Sequence, residues 1–148
     1  MRKIKSEIII NAVADVCSKA NFDLPEDILR CLRQCVALET GIAKDIFGEI
    51  IENADIAKKE QIPLCQDTGT ANFFIKLGKD IIIEDGNIYD AINKGVSSSY
   101  VDNYLRKSIV SDPLERKNTQ DNTPASVYVD TVDGNEIEII FLPSTVST

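Results

Sequence analysis

Histidine and tryptophan are absent from the sequence, and methionine occurs once. The missing imidazole excludes Ser-His-Asp and Cys-His couples, two-His metal sites and any imidazole proton shuttle built from this chain. Acid–base chemistry falls instead to carboxylates, cysteine, lysine, tyrosine or a metal-bound water. An excess of positive charge is missing too: 16 Lys and Arg face 24 Asp and Glu, a formal net charge of −8. A protein that tracks a phosphate backbone needs a basic face, so this balance argues against a nucleic-acid binder. No apolar run approaches membrane-spanning length. Arg2, Lys3 and Lys5 ahead of Ile8 to Ile10 imitate a signal peptide, but Asn11 and Asp15 interrupt the run and no small-residue cleavage site follows. The expectation is a soluble, cytoplasmic protein without a membrane segment. Cys17, Cys31, Cys35 and Cys65 are too sparse for a disulfide framework, so in a reducing cell they are thiols or ligands.

What is present reads as one α+β domain over residues 1–148. The first sixty residues carry helical periodicity. Ile4, Ile8, Ile9, Ala12, Val13, Val16 and Ala20 form one stripe, and Ile28, Leu29, Leu32, Cys35 and Val36 a second. Asp23 and Glu26 make a capping-box pattern around Pro25. A third helix follows Gly41, with Ile42, Ile46, Phe47, Ile50, Ile51 and Ala57 on its apolar face. From residue 61 the chain changes to an α/β pattern. Ala71, Phe73, Ile75 and Leu77 alternate with Asn72, Phe74 and Lys76, Ile81 to Ile83 is a short strand, and Asn87 to about Lys107 returns to helical spacing with a break around Ser97 to Ser99. Ser126–Val132 and Glu136–Leu142 flank Asp133-Gly134, the signal of a C-terminal β-hairpin.

Two polar segments stand out from this scaffold. Pro63-Leu64-Cys65-Gln66-Asp67-Thr68-Gly69-Thr70 gathers a thiol, an amide, a carboxylate and hydroxyls beside a glycine that lets backbone approach a ligand. Leu105-Arg106-Lys107-Ser108 and the polar stretch from Asp112 to Pro124 add two arginines, Arg106 and Arg116, whose forked donors suit carboxylates. The residues by themselves leave ordinary turn chemistry open for both segments, since Asp-Thr-Gly and Asp-Asn-Thr-Pro also make Asx and Ser/Thr turns.

Cys65 to Thr70, Gly95-Val96, Tyr104-Leu105-Arg106, Asp112-Pro113-Leu114 and Arg116 to Pro124, taken in this order, resemble the class I fumarase family. The nearer likeness is to the alpha subunits of its two-subunit branch, iron–sulfur fumarate hydratase and L(+)-tartrate dehydratase. The resemblance covers nearly the whole chain, and several motifs in order are far more specific than any one of them. It implies a hydro-lyase acting on a small dicarboxylate, fumarate and malate or tartrate. It also implies a [4Fe–4S] cluster, held by three cysteines, whose open iron acts as a Lewis acid. Carried over position by position, Cys65 is one cluster ligand, Gln66 and Asp67 contact substrate, Asp67 serves acid–base catalysis and Arg106 clamps a substrate carboxylate. Arg116 and the Asn118–Thr123 loop shape the site.

The family continues, after the strand matching Ile137–Leu142, into a lysine and a Gly-rich segment; here Pro143 is followed by Ser144 to Thr148. The expectation is therefore the N-terminal half of an alpha subunit, with the remaining half and a beta subunit as partners in an oligomer. Cys31 and Cys35, an i, i+4 pair, are read as core rather than as ligands. Two other functions stay open at this point. One is a catalytically inactive remnant or partner-binding module without a cluster, and the other is a carboxylate-binding domain that uses Arg106 and Arg116 without iron.

Overall fold

The alternation along residues 70–78 builds the central strand of the fold. The computed structural model describes residues 1–64 and 69–144. In it, β2 (Thr70–Gly78) lies between β4 (Ser126–Val132), which runs parallel to it, and β5 (Ile137–Ser144), which runs antiparallel. Ala71, Phe73 and Ile75 point inward and are at most 2% exposed. Burying side chains such as Phe73 and Ile75 contributes roughly 1.5–3 kcal/mol each. Phe73 faces Phe141 across the β2–β5 ladder, with ring centroids 5.0 Å apart. On the opposite face Phe74 stacks on Tyr128 at 5.2 Å, and both rings are exposed.

The α+β class is as the sequence indicates, and both C-terminal strands form where the pattern places them. They do not make a hairpin. Order β4–β2–β5 inserts β2 between them, so the 133–136 connection must cross the end of β2. It does so directly over Gly78. Gly78 N–H donates to the Glu136 carbonyl at 2.9 Å, Lys79 N–H to Val132 and Asp80 N–H to Gly134. A Cβ on Gly78 would lie 2.6 Å from the Gly134 oxygen and 2.9 Å from Glu136 N and O. The Asp133-Gly134 turn thus reverses the chain as expected, but around a third strand.

A second, two-stranded parallel sheet pairs β1 (Arg2–Lys5) with β3 (Ile81–Glu84). Residues 2–5, read as the start of the first helix, are therefore a strand; α1 spans Ser6–Phe22. Asp85 and Gly86, both with positive φ, turn the chain out of β3. Asn87 then caps α4 (Ile88–Asp102), its Oδ1 accepting from Asp90 N–H at 2.9 Å. Gly95 brings α4 against α1: a Cβ there would sit 2.7 Å from the Ile10 carbonyl oxygen and from Val13 Cβ. Ser18 Oγ, Ser99 Oγ and Asn103 Nδ2 form a hydrogen-bonded cluster between the same helices, at 2.9–3.3 Å. Val13, Cys17, Ile92, Val96 and Tyr100 are fully buried around them.

The chain divides into two units, Met1–Ser18 with Asp67–Thr148, and Lys19–Gln66. The second contains α2 (Glu26–Leu38) and α3 (Ile42–Glu60). The Asp23–Glu26 capping box does not form. Pro25 occupies the N-cap without a side-chain cap bond, and Asp23 pairs with Lys58 at 3.5 Å. On α3, Ala54 and Ala57 are buried while Ile42, Ile46 and Ile50 are exposed, so only part of the expected apolar face is covered. Among the described residues no helix is long and apolar enough to cross a membrane.

Candidate functional site

Arg106 owes its position to the way α4 ends. Tyr104 takes φ 54°, a left-handed conformation that stops the helix, and Leu105 N–H reaches back to the Tyr100 carbonyl at 3.1 Å. Leu105 is buried at 3% exposure, and the next side chain, Arg106, emerges exposed. A buried anchor immediately before an exposed guanidinium fixes where the charge leaves the surface.

Beyond Arg106 the chain folds back on itself. Residues 107–111 lie antiparallel to 117–119 through the Val110–Asn118 bridge, Ser111 N–H to the Lys117 carbonyl at 2.8 Å and Thr119 N–H to Ile109 at 3.0 Å. Asn118 Nδ2 donates to the Lys107 carbonyl at 2.8 Å. The tip is an Asx turn, in which Asp112 Oδ1 accepts from the backbone of Leu114 and Glu115. Arg116, exposed and at φ 53°, closes that tip.

Asn122 ties this loop to Gly69. It is fully buried. Its Oδ1 accepts from Ser108 N–H at 2.7 Å and from Ile109 N–H at 3.2 Å, while its Nδ2 donates to the Gly69 carbonyl at 3.2 Å. One side chain therefore touches the backbone just after Arg106 and the backbone just after Thr68. Asp121, next in line, has its carboxyl below the ordinary value. Burial acts to raise it, but hydrogen bonds from the Thr123 hydroxyl and backbone, Ser97 and Thr119 outweigh that. Thr123 is held to Asp121 Oδ1 at 2.7 Å, and Ala125 N–H bonds Asn93 Oδ1 of α4 at 2.9 Å. The turn residues of 118–125 are thus structural anchors as well as turn formers.

Of the residues singled out from sequence, Arg106 is placed as described, and Cys65, Gln66 and Asp67 lie outside the described residues. Gly69, the next described residue after them, is held by Asn122. From its sequence the Asn118–Thr123 loop is expected only to shape the site, and Asn122 carries no role of its own there. A polar residue between Asp and Thr-Pro reads as turn chemistry, and its burial has no signature in the local sequence.

The other cysteines behave differently from one another. Cys17 is buried, and burial pushes its thiol up to about 12, so it remains protonated and unsuited to ligation. Cys31, expected in the core, is exposed, and Cys35 is half-buried, because only Leu29 of the α2 stripe is fully covered. Among the described residues no group of three or more Cys, Asp or Glu side chains is placed to hold a metal. A [4Fe–4S] cluster therefore does not fit the described side chains by themselves. A cavity of about 340 Å³ lined by Ile4, Ile8, Ile9, Ala12, Ile137 and Ile139, with Arg2 and Glu136, contains none of the candidate residues.

Comparison with known proteins identifies the family to which this chain belongs. Residues 10–146 match the family model for fumarate hydratase (Fumerase), and the chain belongs to that family. It is 35% identical over 142 residues to the Methanocaldococcus jannaschii protein named "Putative L(+)-tartrate dehydratase subunit alpha", covering 91% of this chain and 50% of that protein. It is 28% identical over 138 residues to the L(+)-tartrate dehydratase subunit alpha of Escherichia coli strain UTI89, covering 90% and 44%. Against the anaerobic class I fumarate hydratase of E. coli K12 the identity is 34% over 99 residues, 66% of this chain and 18% of the relative. The chain spans about half the length of the tartrate dehydratase alpha subunits it matches.

Proposed function

We propose that this chain forms part of a hydro-lyase that adds or removes water across the C–C bond of a small dicarboxylate, fumarate and malate or tartrate. The observation that carries the reading is the convergence of family motifs: the backbone flanking Arg106 and the backbone flanking Cys65–Thr68 meet on one buried side chain. Arg106 donates N–H hydrogen bonds from its guanidinium to a substrate carboxylate, and Gln66 hydrogen-bonds the substrate. In the dehydration direction a carboxylate oxygen of Asp67 takes the proton from the carbon next to a carboxylate. Charge then spreads into that carboxylate, where a fixed guanidinium stabilises it. The electron pair returns as the C=C bond while the hydroxyl of the neighbouring carbon leaves as water with a proton from solvent.

Cys65 supplies one thiolate to a [4Fe–4S] cluster in this reading. The other two ligands belong, in this reading, to the part of the alpha subunit that this sequence does not match; burial keeps the Cys17 thiol protonated. The partners are the portion of an alpha subunit that this chain does not match and a beta subunit, assembled in the cytoplasm. The reading is supported by the names of the relatives and by the shares of their lengths that match.

The test is Arg106→Ala in the complete, iron-reconstituted enzyme. Loss of charged hydrogen bonds to a carboxylate raises KM for the dicarboxylate by about 10–100-fold, and Arg106→Lys recovers only part of it. An unchanged KM in both variants would refute the assignment.

A further inference from the structure

We propose that Asn122 is a positioning residue whose two ends do separate jobs. Its Oδ1 fixes the Arg106 segment, and its Nδ2 fixes Gly69. The inference rests on the hydro-lyase reading and adds to it a division of labour within a single amide.

Asn122 is fully buried, so its amide has no water to fall back on and every bond it makes is costly to lose. Oδ1 takes two backbone donors, Ser108 N–H at 2.7 Å and Ile109 N–H at 3.2 Å. These lie two and three residues beyond Arg106, which is anchored on its other side by buried Leu105. Nδ2 reaches the carbonyl of Gly69 at 3.2 Å, on the residue that follows Thr68 in the chain. No other residue type of this size offers an acceptor and a donor on one rigid plane. Its backbone adds to the choice: Asn122 sits at φ 62°, a region that Asn tolerates better than other side-chain-bearing residues. Asp121 and Thr123 lock it from both sides through the 2.7 Å hydroxyl and 3.0 Å backbone bonds. The clamp therefore sets the separation between the segment that carries a carboxylate-binding arginine and Gly69. In a reaction where a proton must be taken from a carbon beside the clamped carboxylate, that separation decides the rate.

Two substitutions separate the ends. Asn122→Asp keeps an acceptor for Ser108 and Ile109 and opposes the Gly69 carbonyl with a second oxygen. Asn122→Gly removes both ends while accepting the positive φ. In the complete, iron-reconstituted enzyme, Asn122→Asp lowers kcat about tenfold or more with KM for fumarate or tartrate within about twofold. Asn122→Gly lowers kcat and raises KM together. Amide hydrogen exchange gives the readout that turnover does not: Ser108 and Ile109 stay protected in Asn122→Asp and lose protection in Asn122→Gly. A purely structural asparagine would move kcat and KM alike in both variants and expose Ser108 and Ile109 in both, and that result would overturn the proposal. Absence of turnover in the unsubstituted enzyme would refute the hydro-lyase reading instead. The exchange pattern alone would then decide whether the two ends act separately.

Discussion

Gly95 and Gly48 both sit inside helices, α4 and α3, and the same substitution at each should change stability with opposite sign. A methyl group on Gly95 would lie 2.7 Å from the Ile10 carbonyl oxygen and 2.7 Å from Val13 Cβ and Cγ1. Carbon contacts become favourable only near 3.5 Å, so α1 and α4 would have to part locally by roughly 0.7–1 Å. The oxygen is backbone and cannot rotate away. Such overpacking costs about 1–3 kcal/mol, and the better helix propensity of Ala returns about 1 kcal/mol. Gly95→Ala is therefore expected to destabilise by up to about 2 kcal/mol, toward the upper end of that range because three contacts fall at 2.7 Å and one of them is backbone. A methyl group on Gly48 would meet nothing within 4 Å, so only the propensity change acts there. Gly48→Ala should stabilise by up to about 1 kcal/mol. Urea unfolding followed by far-UV circular dichroism reads both, with a midpoint shift on the order of 0.5 M in opposite directions. Gly95→Ala as stable as the unsubstituted protein would refute the close crossing of the two helices.

Gly78→Ala should be worse tolerated than Gly95→Ala, because all three close atoms belong to backbone; the expected readout is loss of soluble protein or of the cooperative unfolding transition. Asp121 has a depressed pKa in the folded state, so its contribution to stability is complete above the ordinary value of 3.8 and is lost as pH falls below it. Asp121→Asn should accordingly flatten the acid limb of a stability–pH profile, and an unchanged limb would contradict its hydrogen-bonded anchoring. Cys17 has the opposite sense. Its thiol is raised from 9.0 to about 12, so the stability it lends is present below 9.0 and lost as pH rises toward 12. Iodoacetamide at mildly alkaline pH should label Cys31 in the native protein and Cys17 only after unfolding, as read by peptide mass spectrometry.

Periodicity made the helices and strands legible because it reports which face of an element is apolar. It located α2, α3 and α4, and the strands β2 to β5, close to where they lie. It could not say which strand neighbours which. Asp133-Gly134 encodes a local reversal, and the chain does reverse there; that β2 fits inside the reversal depends on Gly78 having no side chain, a contact between distant parts of the sequence. Residues 2–5 fail for a related reason, since Ile4 suits a helical stripe as well as a strand and only pairing with β3 decides. Apolar stripes likewise do not reveal how much of a helix is covered, and Cys31, Ile42 and Ile46 are exposed despite lying on or beside such stripes. At the site, Arg106 was legible through its motif, whereas Asn122 was hidden among residues whose local role is turn formation. Its importance lies in joining positions 69 and 108, which are far apart in the chain.

The central proposal is that Cys65 and Arg106 both serve a hydro-lyase. The most direct measurement is anaerobic turnover of fumarate and L(+)-tartrate by the complete enzyme after iron and sulfide reconstitution, with Cys65→Ser beside it. The account predicts conversion of at least one dicarboxylate by the unsubstituted enzyme, and loss of both turnover and cluster-bound iron in Cys65→Ser. Retention of cluster and turnover in Cys65→Ser, or no turnover of either substrate by the unsubstituted enzyme, would contradict it.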